Sequence, residues 1–164
     1  MKKILIISTG GTFNKIYEPV TGSLVVDADS HALKQIASKW LCSFEVLNLI
    51  GKDSLDMTNQ DRLELLATIN HSDYHDIIII HGTDTMDLTA EYLADAELEK
   101  QIILTGAMVP YSIDPVEATA NLCSAYGYMN GFDKEGVYIA MNGIIGPYEK
   151  VKKDRAKGRF CLVD

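Results

Sequence analysis

The stretch Ile77-Ile78-Ile79-Ile80-His81-Gly82-Thr83-Asp84-Thr85 decides the fold. Its four isoleucines are β-branched and continuously apolar, and they run straight into a glycine turn bearing two threonines and an aspartate. A half-solvated strand alternates apolar with polar residues. A strand apolar throughout is covered on both faces, as in a parallel sheet clothed by helices. The same arrangement occurs twice more: Ile4-Leu5-Ile6-Ile7 leads to Thr9-Gly10-Gly11-Thr12, and Ile102-Ile103-Leu104 leads to Thr105-Gly106-Ala107. Residues 44–50 and 137–141 read as two further strands, the first opening into Gly51-Lys52-Asp53-Ser54-Leu55-Asp56.

Helix-length segments lie between these runs. Residues 30–41 set Leu33, Ile36, Ala37 and Trp40 at helical spacing. Thr58-Asn59-Gln60-Asp61 has the form of a capping box, and Leu63, Leu66 and Ile69 after it predict a buried face. Asp114-Pro115-Val116-Glu117 offers an N-cap, a proline at the first helical position and an acid at the third, with Leu122, Ala125 and Tyr126 marking the inward side. Strand and helix alternating through 164 residues predict a single α/β domain over 1–164. It should have three layers around a largely parallel, doubly wound sheet of flavodoxin- or Rossmann-like kind. Ligands of such sheets bind beyond the carboxyl ends of the strands, which is where the glycine and hydroxyl residues fall.

Charge narrows the partners. With 15 Lys+Arg against 23 Asp+Glu the net charge is -8, so no nucleic acid and no membrane surface is expected as a partner. Residues 149–159 depart from that balance, with Lys150, Lys152, Lys153, Arg155, Lys157 and Arg159 against Glu149 and Asp154. Elsewhere nine basic residues face 21 acidic ones. The segment reads as a solvated hairpin, or as a patch with one cation aimed at the site. Cys42, Cys123 and Cys161 are odd in number and form no CxxC, so neither zinc nor a disulfide framework is indicated. Cys42 and Cys123 have apolar neighbours and read as small buried hydrophobes. No signal-length segment opens the chain and no apolar run approaches the ~18 residues of a membrane span, so a cytoplasmic location is expected.

Hydroxyls, glycines and one carboxylate thus converge on one sheet edge. Glycines let backbone N–H groups approach a ligand, while hydroxyls supply hydrogen bonds or a nucleophile. Tight-turn chemistry alone would account for one such loop, but three at the same edge point to a ligand site. Gly10-Gly11-Thr12-Phe13 does not fit a dinucleotide fingerprint, and neither a phosphate loop nor a GxSxG elbow is present. His71 and His75, four apart, could share a helical face as metal ligands. Their segment reads instead as the polar end of a helix, and no metal or cofactor is expected. His81 reads as a hydrogen-bonded scaffold residue ahead of proton carrier.

Thr9-Gly10-Gly11-Thr12, Ser54 with Asp56-Met57, His81-Gly82-Thr83-Asp84-Thr85-Met86, Thr105-Gly106-Ala107-Met108-Val109-Pro110 and Met141-Asn142 followed by Lys153 resemble, in order and spacing, segments of the bacterial L-asparaginase family. The resemblance runs over nearly the whole chain and corresponds to the family's larger N-terminal domain, so a single domain of that type without the family's smaller C-terminal domain is expected. It implies that Thr12 is the nucleophile of a small side-chain amide's hydrolysis, passing through a threonine acyl-enzyme to the acid and ammonia. Thr83, Lys153 and Asp84 would form a second catalytic cluster, and Tyr17 would hydrogen-bond the nucleophile. Asp84 would hold a substrate α-ammonium and Ser54 its α-carboxylate. Backbone amides around Thr12 and Thr83, Gly82 among them, would receive the oxyanion, and the Ala107 carbonyl would face the leaving nitrogen.

A threonine hydroxyl is a poor nucleophile without a neighbouring base, and its tetrahedral intermediate needs fixed donors. Both residue types are present. The chain departs from the family at Leu55, where a glutamine commonly follows the serine, and at Gly146-Pro147-Tyr148-Glu149, where an arginine-containing turn is usual. The resemblance implies a homo-oligomer, dimer or tetramer, because the family's sites lie between subunits. Two other readings stay open: a non-catalytic domain binding or sensing asparagine- or aspartate-like ligands, and the amidase module of a larger assembly.

Overall fold

In a computed structural model, which describes residues 2–40 and 44–164, the elements follow the expected alternation. In chain order they are β1 (Ile4–Gly10), β2 (Lys15–Glu18), β3 (Ser23–Val26), α1 (His31–Trp40), β4 (Glu45–Lys52), α2 (Asn59–His71), β5 (Asp76–Ile80), α3 (Met86–Ala94), β6 (Gln101–Thr105), α4 (Pro115–Gly131), β7 (Gly136–Met141), β8 (Ile144–Pro147), β9 (Val151–Asp154) and β10 (Arg159–Leu162). Short 3₁₀ turns cover Thr12–Asn14 and Ser54–Asp56.

The main sheet runs β4-β1-β5-β6-β7-β8. All neighbours pair in parallel except β8, which is antiparallel to β7. The five parallel strands thus have the flavodoxin order 2-1-3-4-5, which reverses direction between β1 and β5, and ligands of such sheets bind beyond the carboxyl ends at that switch point.

The apolar runs divide their side chains between two cores, as the period of two requires. Ile6, Ile78, Ile80 and Ile103 pack with Leu33 and Ile36 of α1 and with Leu122 and Ala125 of α4. Ile7, Ile77, Ile79 and Leu104 pack with Leu65 and Ile69 of α2 and with Met86 and Leu93 of α3. Each isoleucine so buried contributes roughly 1.5–3 kcal/mol relative to exposure. Val151 and Phe160 of the β9–β10 hairpin join the second core, which anchors the basic segment to the sheet. Among the described residues no helix is long and apolar enough to cross a membrane.

The helix starts take the anticipated form. Thr58 and Asp61 complete a reciprocal capping box, and Asp114 caps α4 with Pro115 in its first turn. Other details differ. The inward stripe of α2 is Arg62, Leu65 and Ile69, with Leu63 turned outward. The helix is rotated because the Arg62 guanidinium finds three oxygens beneath it. Cys123 is exposed, contrary to the sequence reading. The inward residues of α4 are Ala118, Asn121, Leu122, Ala125 and Met129, which leaves position 123 on the solvent side. Cys42 lies outside the described residues. Helix α3 had no sequence-level expectation, although Met86, Ala90 and Leu93 carry its spacing. The segment after Asn14 is a β2–β3 hairpin with Tyr17 paired to Leu24.

Candidate active site

β1 ends in a backbone that only glycine adopts. Gly11 has φ 76 and ψ -179, a region closed to residues with a Cβ. A Cβ there would meet the Gly82 nitrogen at 2.5 Å. Gly82 is as tightly placed, since a Cβ on it would lie 2.6 Å from both the Cβ and Oγ of Ser54. Three turns, from β1, β4 and β5, therefore touch through Gly11, Gly82 and Ser54. Thr12 and Thr83 each follow one glycine of that contact, which brings the two threonine turns together across the switch point.

The Thr83 side is densely wired. Lys153 Nζ donates to Thr83 Oγ1 at 2.9 Å and to Asp84 Oδ1 at 2.8 Å. Arg155 donates through Nη1 to Asp84 Oδ1 at 3.0 Å and through Nη2 to the Asp84 carbonyl at 2.8 Å. The Lys153 hydrogen bond, with Arg155 assisting, holds the Asp84 carboxyl below its ordinary range. The Thr83 hydroxyl donates to Met108 Sδ at 3.3 Å, a weak acceptor that a ligand oxygen or nitrogen would outcompete. The amides of Met108 and Val109 donate to the Glu117 carboxylate, which fixes the turn after the buried Ala107.

The Thr12 side is open. Thr12 is half-buried, and its hydroxyl has no hydrogen-bond partner among the described residues. The buried Asn14 ties the turn to β1, donating to Ser8 Oγ and the Gly10 carbonyl. Tyr17 is 63 % exposed on the β2–β3 hairpin and makes no hydrogen bond to Thr12. The expected contact is absent because strand pairing holds this residue out on the hairpin. Lys15 of the same hairpin pairs with Asp53, and that hydrogen bond holds the Asp53 carboxyl low.

Behind both sides runs a buried polar chain. His81 Nδ1 donates to the Gly82 carbonyl at 2.7 Å, so Nε2 accepts from Thr89 Oγ1 at 2.8 Å. Burial, with the Arg62 charge adding to it, pushes the imidazole down to about 4 and keeps it neutral near pH 7. Arg62 donates to Thr89 and Thr85, and Thr85 donates on to the Ser54 carbonyl at 2.8 Å. His81 thus has the geometry of a scaffold residue. Ser54 is 1 % exposed, and its hydroxyl has no partner among the described residues.

The structure brings Thr12, Ser54, Gly82, Thr83, Asp84, Lys153 and the Gly106–Met108 turn to one edge, and leaves Tyr17 apart from Thr12. His71 and His75 do not converge. His71 caps the end of its own helix through the Ala67 carbonyl, and His75 pairs with Asp76. Sequence reasoning missed Arg155, Arg62 and Asn121. Arg155 had a usable signal, standing two residues beyond Lys153 in the basic segment, at the start of the turn that follows β9. Asn121 joins the Gly106 carbonyl to the Asn142 amide, and Asn142 Oδ1 accepts from the Phe160 amide, linking the sheet edge to the hairpin that carries Lys153.

Residues 3–162 match the family model "Asparaginase, N-terminal". Similar curated proteins include a glutaminase-asparaginase of Pseudomonas aeruginosa, 29% identical over 87% of this chain and 42% of its own length. A probable periplasmic L-asparaginase of Haemophilus influenzae is 29% identical over 93% of this chain and 46% of its own. Among solved structures, L-asparaginase I of Vibrio cholerae superposes with a TM-score of 0.82 at 26% identity, over 100% of this chain and 52% of that one. A probable cytoplasmic L-asparaginase of Campylobacter jejuni gives the same TM-score at 25% identity. The chain therefore spans about half the length of the relatives it matches.

Proposed function

The chain belongs to the asparaginase family, matching its N-terminal domain, and from that premise we propose that it hydrolyses a small side-chain amide through a threonine acyl-enzyme. Thr12 Oγ1 adds to the amide carbon, and the tetrahedral intermediate collapses to an ester at Thr12. The departing nitrogen leaves as ammonia with the threonine proton. Water then cleaves the ester, giving the acid and restoring the hydroxyl. Among the described residues the amides of Thr12, Gly82 and Thr83 have no acceptor within the chain, so they are available to the oxyanion. One such donor is worth about 3 kcal/mol in comparable sites.

The observation that carries this reading is Lys153 Nζ set between Thr83 Oγ1 at 2.9 Å and Asp84 Oδ1 at 2.8 Å. The lysine occupies one side of the Thr83 oxygen, so the hydroxyl proton points elsewhere and Thr83 can pass protons at the neighbouring threonine turn. Asp84 orients the lysine. Assembly as a homo-oligomer would shield the open Thr12 side from water. The unpartnered Thr12 hydroxyl is the observation that favours a second reading, a binding domain without turnover. Ammonia release from asparagine, glutamine and succinamate decides between them. Release that disappears in Thr12→Val, with the fold intact by circular dichroism, is expected. Release that survives Thr12→Val removes Thr12 from the mechanism, and binding without release supports the second reading.

A further inference from the structure

We propose, building on the amidohydrolase reading, that the site takes the ω-amide of a carboxylic acid lacking a free α-ammonium, and that Arg155 sets this preference. An ammonium needs a carboxylate or several acceptors when it leaves water. Two carboxylates stand at this edge near enough to interact, Asp53 and Asp84, and both already hold cations. Lys15 pairs with Asp53. Lys153 and Arg155 both pair with Asp84 through the same oxygen, Oδ1.

Arg155 is held twice, by the carboxylate and by the Asp84 carbonyl. Its guanidinium therefore stands where an incoming ammonium would seek its counter-charge. A ligand ammonium must displace it or sit beside two cations, and like charges about 4 Å apart repel by about 1 kcal/mol even in bulk water and by more at a protein surface. The opposite side of the site offers donors. The buried Ser54 hydroxyl has no partner among the described residues. Behind it the Arg62 guanidinium, 6 % exposed, has no carboxylate partner among those residues and reaches the Ser54 carbonyl through Thr85. Leu55, next in the chain, brings no acceptor and is exposed. Asp84 Oδ2 has no hydrogen bond among the described residues, but Lys15, Lys153 and Arg155 outnumber the two carboxylates and leave the edge net positive, which suits a carboxylate and an amide oxygen better than an ammonium.

Succinamate and L-asparagine differ only by the α-ammonium, so they isolate the effect. Calorimetric titration of the Thr12→Ala chain should show succinamate binding at least about tenfold tighter. Adding Arg155→Gln should bring the two ligands within about threefold of each other, and Arg155→Lys, which keeps the charge, should preserve the preference. Equal or tighter binding of asparagine, no binding of either ligand, or a preference untouched by Arg155→Gln each overturns the proposal. Ammonia release by the unsubstituted chain reads separately. Preferred binding of succinamate without release sinks the hydrolase reading alone, and efficient release with asparagine bound more tightly sinks this proposal alone.

Discussion

Thr12 and Thr83 flank the same glycine contact, yet their hydroxyls have opposite surroundings. Thr83 is held by Lys153, directed at Met108 and backed by the Asp84–Arg155 pair. Thr12 sits on a 3₁₀ turn with its hydroxyl unpartnered among the described residues, and the hairpin that follows it turns its tyrosine to solvent. The difference follows from what each turn packs against. The Thr83 turn is covered by the β9–β10 hairpin, which Val151 and Phe160 anchor in the core. The Thr12 turn is anchored from behind, by Phe13 in the core and the Tyr111 amide on the Phe13 carbonyl, while the β2–β3 hairpin that follows it leaves Ile16, Tyr17, Leu24 and Val25 exposed. One half of the site is preorganised by the chain itself, and the other half is left open to whatever closes over it.

Gly11→Ala attacks the contact that joins the halves and should have the largest effect. The new Cβ would need a forbidden backbone and a position 2.5 Å from the Gly82 nitrogen. A loss of about 4 kcal/mol or more in urea unfolding is expected, from backbone strain and overpacking together. A loss below 1 kcal/mol would mean the two turns are not locked together.

The buried chain under the Thr83 half predicts an acid-sensitive stability. The unfolded imidazole takes up a proton as pH falls through 6.5, whereas His81 in the folded chain stays neutral until about 4. Stability is therefore complete above pH 6.5, falls by about 3 kcal/mol across that window and levels off below it. Asp53, Asp61 and Asp84, all held below the ordinary 3.8, lose their contributions only at still lower pH. Urea midpoints at a series of pH values should show the slope in the wild type and its loss in His81→Gln. A flat wild-type profile between pH 6.5 and 4 would contradict the burial of a neutral imidazole.

Lys153→Met tests the wired half directly. Ammonia release should fall about a hundredfold, within the usual range for a proton-handling group, while the thermal midpoint moves by only a few degrees. Unchanged release would return Lys153 to a surface role. The smallest effect is expected at Tyr17→Phe, where release should change by less than about threefold because no hydrogen bond to Thr12 is lost. A drop on the order of a hundredfold would instead show that the β2–β3 hairpin swings onto the Thr12 turn during turnover.

Much of this architecture was legible in the residues themselves. Continuous isoleucine runs, the Thr58–Asp61 capping box and the Asp114-Pro115 start are local signals, because a strand destined for burial on both faces is written as an unbroken apolar run and a helix cap is filled by residues beside it in the chain. The convergence of Thr12, Thr83 and Ser54 followed from one rule about strand ends. Which side chains meet was a different matter. Arg155 finds Asp84 across 71 positions, and Gly11 meets Gly82 across the same separation, only because the β1–β5 crossover and the late hairpin bring them together. The leucine-rich pattern of α2 allowed two inward stripes, and the oxygens of Thr85 and Thr89 chose the one containing Arg62. Periodicity encodes that a face is buried, not what lies opposite it. The fold class and the glycine-threonine turns at the strand ends were therefore set by the sequence alone. The charge state around Asp84, the place of Tyr17 and the exposure of Cys123 were decided by tertiary packing, where partners are supplied by distant elements.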